Sequence, residues 1–475
     1  SNGVWDPTEQ IATDLPMVAG TNLVPVTVPL TVTPSSMVYA RFRLTSYNTG
    51  ATLTPAGIAQ DGEVEDYQLK LDDKMHIQGT AGDDVIHIIP GTPGGIGHRI
   101  KINGAAYVAY DATTYAGLAV DGLAGNDSLS VHGKSTDETA VLSGKTLQVV
   151  EAGVYEMLGM DFENTYAYGN GGVNTATITG TTGDDNLYGN ESSTYLQADS
   201  NTILNYVKGF DSVTVDATTG GTDRAYLYDG VADDVFVAGP TQAALDYAAT
   251  ASPGANITAV GFDRADVYGD NGGVDAATLT GSAEADRFSA REAYAYVTDT
   301  TGTFYNYVDG FESVTADVTG SGGADYALIV DSATDDVLVA GETEVTLDLD
   351  ATTSPGVNIT AKGFPAVNAY ALFGGTDAAT MTGSAGNDRF TGKETYGRMQ
   401  VNDSAVINYA QGFESMAADV TGSGGTDKAF MYDTAADDTY AATPTLATYD
   451  YNSTAAPGVD MSAGGFTETY SYATS

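Results

Sequence analysis

At 475 residues with 42% hydrophobic side chains, the chain is long enough for one extended domain or several ordinary ones, and apolar enough to bury a core. Eighteen Lys and Arg against 63 Asp and Glu give a formal net charge of -45, which excludes nucleic acid as a partner and disfavours anionic membranes, because both draw on basic side chains. With no cysteine and four histidines (His76, His87, His98, His132), all in the first third, disulfides, Cys-bound zinc and any later His-based catalysis are excluded. No run approaches the ~18 apolar residues of a membrane-spanning helix. Fifty-seven Gly, thirty Tyr and abundant Thr, Val and Asp predict an almost all-β protein.

The chain opens at Ser1 without a charged-then-apolar leader, which reads as a processed fragment lacking a signal peptide. Residues 1–71 form a first unit. Asn2-Gly-Val-Trp-Asp-Pro-Thr-Glu9 matches the second half of a calcium loop: Asn2 and Asp6 supply oxygens, Val4 its carbonyl, and Glu9 the bidentate carboxylate, with an ordinary polar turn as the alternative. Further on come Met37-Val-Tyr-Ala-Arg-Phe-Arg-Leu44 and Asp61-Gly-Glu-Val-Glu-Asp-Tyr-Gln68. This pair of segments resembles the end of a GEVED domain, a β-rich module of secreted and surface bacterial proteins. The resemblance implies a secreted or cell-surface setting and a partial, sandwich-like β-domain whose leading strands are missing, so that its sheet edge could pair with another chain. The chain also stops before the turn its last repeat calls for, and one incomplete end is expected to complete the other in the next subunit, with proteolysis as the alternative origin of both ends.

Residues 72–160 read as a transitional solenoid segment. Gly79-Thr-Ala-Gly-Asp-Asp-Val-Ile86 and Gly122-Leu-Ala-Gly-Asn-Asp-Ser-Leu129, with Gly180-Thr-Thr-Gly-Asp-Asp-Asn-Leu187 beyond, are similar to the calcium-binding unit of RTX β-rolls. The similarity implies possible Ca²⁺ ligands at Asp83, Asp84, Asp127, Asp184 and Asp185. The copies are isolated, 43 and 58 residues apart, whereas RTX units run in tandem. A net charge of -45 and hard oxygen donors favour Ca²⁺ over transition metals, against a merely soluble acidic surface.

From residue 161 to 475 the sequence repeats. Gly-Phe pairs end at Phe210, Phe262, Phe311, Phe364, Phe413 and Phe466, with a degenerate copy at Phe162, and the Phe spacings are 48, 52, 49, 53, 49 and 53. The alternation defines a full repeat of 100 to 102 residues made of two related halves. Gly-Gly-x-Asp turns ending at Asp223, Asp275, Asp325, Asp377 and Asp427 keep the same beat. Short β-branched runs between turns predict about three repeats of a β-solenoid or parallel β-helix, in coils of ~25 residues and a rod of ~75 Å, with tandem ~100-residue β-sandwiches as the alternative. The recurring Phe are expected to stack as an internal ladder, and the Gly-Gly-x-Asp turns to sit at corners where positive φ is required and Asp accepts backbone N–H groups.

For chemistry, the one cationic cluster is His98, Arg99 and Lys101, with His87, His132 and Lys134 nearby. A polysaccharide-active β-helix could align His98 and Lys101 on one strand, but a catalytic site should break the repeat and none does, so no enzyme is expected. The tyrosines invite a glycan-binding reading, although sugar platforms favour Trp and only Trp5 is present. The expected function is mechanical: a self-assembling extracellular fibre or surface-layer subunit, with a cell-surface adhesin second and a polysaccharide enzyme third.

Overall fold

The computed structural model describes residues 37–45, 62–70, 73–248, 256–350, 357–451 and 459–473, and every regular element among them is a β-strand. Met37–Leu44 and Glu63–Lys70 pair antiparallel, with Arg41 opposite Asp66 and bonded to it at 2.6 and 2.7 Å. The motif segments read from the sequence are therefore two halves of one hairpin.

The other forty strands divide into two facing sheets of twenty, here sheet I and sheet II. One module shows the wiring. Thr175–Thr179 lies in sheet I; Asn186–Asn190, Ser193–Ala198 and Ile203–Lys208 form an antiparallel meander in sheet II; Ser212–Asp216 returns to sheet I, parallel to the first strand. The next module reverses the roles. Arg224–Tyr228 lies in sheet II, Val235–Ala238, Gln242–Asp246 and Asn256–Val260 form the meander in sheet I, and Arg264–Tyr268 returns to sheet II. Successive meanders thus alternate between sheets, which is why two similar halves make one full repeat. The ladder stays open: Val108–Tyr110 and Glu468–Tyr472, at the two ends of sheet II, each have one strand neighbour among the described residues.

The five-strand pattern already runs through Lys74–Asp121 and Ser128–Tyr168, so the segment expected to be transitional is wired like the repeats that follow. Eight modules result, and the structural repeat extends beyond the Gly-Phe markers. Because each meander adds a strand layer without a full turn around the core, twenty strands per sheet at ~4.8 Å spacing give a rod of ~90 Å, longer than ~25-residue coils imply.

Local sequence explains the strands. Ser212-Val-Thr-Val-Asp216 buries its two Val and turns Ser, Thr and Asp outward, and most strands show the same period of two. The Gly-Phe corners work as a pair: glycine takes positive φ, 74° at Gly209 and 76° at Gly261, and the Phe turns inward. All seven marker Phe are buried. They do not form one ladder, however, because the sheets exchange roles at each module and consecutive Gly-Phe corners fall on opposite edges. Three of them meet a meander Phe instead: Phe311 lies 6.4 Å from Phe236, Phe364 6.0 Å from Phe288, and Phe466 6.4 Å from Phe390 between ring centroids. Truncating Phe288, fully buried in this arrangement, is expected to cost ~3–5 kcal/mol and to lower the urea midpoint without changing the far-UV spectrum at low denaturant.

Candidate functional site

Polar chemistry concentrates at the corners. At the first turn of most meanders two acidic residues sit side by side, and both bind the turn stacked on them; Ala285 and Asn387 take the place of the first acid in two modules. Asp83 Oδ1 accepts the Asn126 N–H at 2.9 Å while Asp127 Oδ1 accepts the Asp84 N–H at 2.7 Å. Asp184 Oδ1 likewise accepts from Thr222 N–H and Asp223 Oδ1 from Asp185 N–H, both at 2.8 Å. The buried first acid also closes its own turn and ties it to a later turn of the same meander: Asp84 accepts from Thr80 N–H and from Asn103 Nδ2, and Asp185 from Thr181 N–H and from Asp199 N–H. This is the backbone-binding role expected of the Gly-Gly-x-Asp turns. Its glycines supply the geometry: at Gly221, φ is +114° and a Cβ would lie 2.3 Å from the Gly183 carbonyl oxygen.

The candidate calcium ligands are therefore grouped as follows. Asp83, Asp84 and Asp127 meet in one pair of stacked turns, and Asp184 and Asp185 in another with Asp223. The turns at 79–86 and 122–129, isolated in sequence, are neighbours in space, whereas the turn at 180–187 stacks on the one ending at Asp223. Among the described residues, no group of three or more His, Asp or Glu is arranged to hold a metal ion. Asn2, Val4, Asp6 and Glu9 lie outside the described residues.

A third acid completes most of the stacks, with Pro365 and Thr467 in its place in two of them, and the sequence reading passed over it. Glu163, Asp263, Glu312 and Glu414 accept the N–H of Asp127, Asp223, Asp275 and Asp377 at 2.8, 2.8, 2.6 and 2.8 Å. Its signal was present, since each of these acids directly follows a marker Phe. The middle carboxyl is thus buried between two others. Burial first, then neighbouring charge, pushes Asp223, Asp275 and Asp377 up to about 6 and raises Asp127 and Asp325 as well.

One stack reveals what the middle position requires. There the residue is Asn174, whose Nδ2 donates to the carbonyls of Gly171 and Gly209, each at 3.1 Å. At the corresponding place Asp127 Oδ2 is buried without a hydrogen-bond partner, as is Asp275 Oδ2. The surroundings correspond: a Cβ on Gly169 would meet Gly209 O and Asn174 Nδ2, and one on Gly122 would meet Asp161 O and Asp127 Oδ2. A donor belongs at this position, and a protonated carboxyl supplies one.

The outer face of sheet II carries the tyrosines. Tyr166, Tyr206, Tyr195, Tyr188 and Tyr226 occupy successive strands in register. Tyr188 stacks on Tyr195 and Tyr226 with centroids 4.9 and 5.0 Å apart. Stacked along the rod, these rings turn their faces to one another and offer edges and hydroxyls outward, which is a cross-strand ladder rather than a sugar platform.

The cationic cluster separates. His98 is buried, its Nδ1 accepting the Gly91 N–H and its Nε2 donating to the Tyr115 carbonyl, both at 2.9 Å, and burial lowers its pKa. Arg99 and Lys101 point outward over the Tyr107 ring. Alternation along the strand puts His98 and Lys101 on opposite faces, so the alignment of His98 with Lys101 is not realised. His87, directly across from Lys101, instead contacts Ser130 Oγ at 2.6 Å, and His132 stacks on Tyr168.

Comparison with known families now bears on the first unit. Residues 1–70 match the GEVED domain. The paired hairpin Met37–Leu44 and Glu63–Lys70 is the described part of this GEVED domain. No curated protein matches the chain. A GEVED domain ahead of a β-solenoid fits an extracellular or surface protein, and no helix of the described residues is long and apolar enough to cross a membrane.

Proposed function

We propose that the chain is a secreted structural subunit, a rod that joins end to end into a fibre or surface layer, and that its role is mechanical rather than catalytic. The observation that carries this reading is the repetition of one device, an acid stack at the corners clipping each turn to the next, along both edges of the rod. A repeat protein whose layers are cross-bonded in this way resists bending and pulling along its axis. Val108–Tyr110 and Glu468–Tyr472, each with one strand neighbour among the described residues, supply edges to which another β-strand can add.

Calcium is the brace this reading takes. A chain of net charge -45 repels itself, and bound cations relieve that repulsion. The exposed turn carboxylates Asp83 and Asp184, and the residues Asn2, Val4, Asp6 and Glu9, are its candidate ligands.

Sedimentation across a concentration series tests the assembly. A weight-average mass that climbs with protein concentration in millimolar calcium, and falls back after chelation, is expected. A monomer at every concentration that is retained on a glycan array would replace the fibre reading with an adhesin.

A further inference from the structure

In a chain with 63 carboxylates, an Arg or Lys without an acidic neighbour is conspicuous. On the outer face of sheet II, Lys208, Arg287, Arg291, Arg389, Lys393 and Arg398 have no carboxylate within 4.0 Å among the described residues, whereas Arg224, Arg264 and Lys428 on the same face are paired. Arg287 and Arg291 stand at the two ends of one strand, Asp286–Arg291, and are exposed. Arg389 and Lys393 stand at the same two places one full repeat later, 102 residues on, and are exposed too. Among the described residues no ion pair neutralises their charge. Several lie over aromatic rings, Arg291 on Tyr294 and Arg389 on Phe430 at 5.0 and 4.4 Å, contacts that orient a guanidinium without using its N–H donors.

The outer face of sheet I is its complement. Asp246, Asp348 and Asp450 occur there at intervals of 102 residues, and Asp317 and Asp419 repeat with the same period. One full repeat advances each sheet by five strands, or ~24 Å, so the cations of one face and the carboxylates of the other follow the same ruler. A strand-wide strip of five residues, ~17 Å across and ~90 Å long, offers ~1,500 Å², above the ~800 Å² per partner of a standard interface.

We infer that the outer face of sheet II is a docking surface for a second copy of this chain, which seats the outer face of its sheet I on it. The contact is heterologous, so each copy keeps one face free for the next and rods add side by side. It is independent of the end-to-end joint proposed above, and together the two make a layer. Charge of like sign elsewhere on the rods is screened beyond ~8 Å at physiological ionic strength, while the facing strips meet at shorter range.

The test uses the full chain with Arg287→Glu, Arg291→Glu, Arg389→Glu and Lys393→Glu combined, all exposed positions, with melting temperature as the control for folding. In 0.15 M salt, wild-type rods are expected to associate laterally, read as paired or sheet-like rods by electron microscopy. The variant should lower the lateral association constant at least about tenfold. Mixing it with a chain carrying Asp246→Lys, Asp348→Lys and Asp450→Lys should restore lateral pairing between the two. Equal lateral association of wild type and variant, or none in either, overturns the inference. Wild-type rods that stay single but bind alginate, with binding lost in the variant, also overturn it by showing that an acidic polymer occupies the face. Threads without lateral growth defeat this inference alone, and lateral pairs without threads defeat only the end-to-end reading.

Discussion

Lowering the pH from 8 to 5 should raise the melting temperature of the solenoid by ~5 °C or more, the reverse of ordinary acid weakening. The sign follows from the middle carboxyls of the acid stacks. Asp223, Asp275 and Asp377 bind a proton with a pKa of about 6 in the folded chain, against an ordinary value of 3.8. Between those two values the folded state holds more protons than the unfolded state, so stability falls as pH rises through 6 and is fully present below about 4. The groups facing each are carboxylates: Asp184, Asp185 and Asp263 around Asp223; Asp229, Asp234 and Glu312 around Asp275; Asp331, Asp336 and Glu414 around Asp377. Two opposing effects set the optimum. His98 is held neutral by burial and contributes stability that is lost as pH falls through its unfolded value, and Asp84 and Asp216, held low by turn N–H groups and Thr hydroxyls, lose theirs below about 4. The maximum therefore lies near pH 5. Asp275→Asn places an amide where Asn174 already stands in another stack, and should raise the melting temperature at pH 8 while flattening the rise toward pH 5. An Asp275→Asn chain less stable than wild type at pH 8 would show that the position holds a carboxylate and not a donor.

Asp336→Ala is expected to destabilise by ~3–5 kcal/mol. Its carboxylate is fully buried and accepts from the Ser332 N–H at 2.7 Å, the Ser332 hydroxyl at 2.8 Å and the Asp350 N–H at 2.9 Å. Alanine strands these donors at a corner that water does not reach. Because contacts in a stacked repeat are made mainly with neighbouring layers, the loss should open the module locally before the rod unfolds, and limited proteolysis should cut between Ser332 and Asp350 first. The adjacent Asp335 is the control. It is exposed and accepts the Thr376 N–H alone, so Asp335→Ala should cost about 1 kcal/mol or less. Equal losses at the two positions would contradict the division between a buried clamp and an exposed clip.

The sequence made the repeat legible because its markers sit where the backbone tolerates few alternatives. Gly209 and Gly221 need positive φ, and Asp185 needs an oxygen beside N–H groups of its own turn. The exchange of sheets between modules was hidden, since inward and outward alternation looks the same in either sheet and Ser212–Asp216 reads like Arg224–Tyr228. That exchange is what broke the expected Phe ladder. Residues 74–168 were hard to place because Asp161, at a φ of 60°, stands where later modules have glycine, so the corner is kept while its marker is lost. The third acids were visible as Phe-Asp and Phe-Glu at the marker Phe, but only the stacking of turns distant in sequence gives them a function.

Negative-stain electron microscopy of the purified chain in millimolar calcium, repeated after chelation, tests the structural-subunit reading most directly. Regular filaments with an axial repeat of at least ~90 Å, set by twenty strand layers, that fray or vanish on chelation are the expected result. Dispersed single rods of that length in both conditions would contradict it.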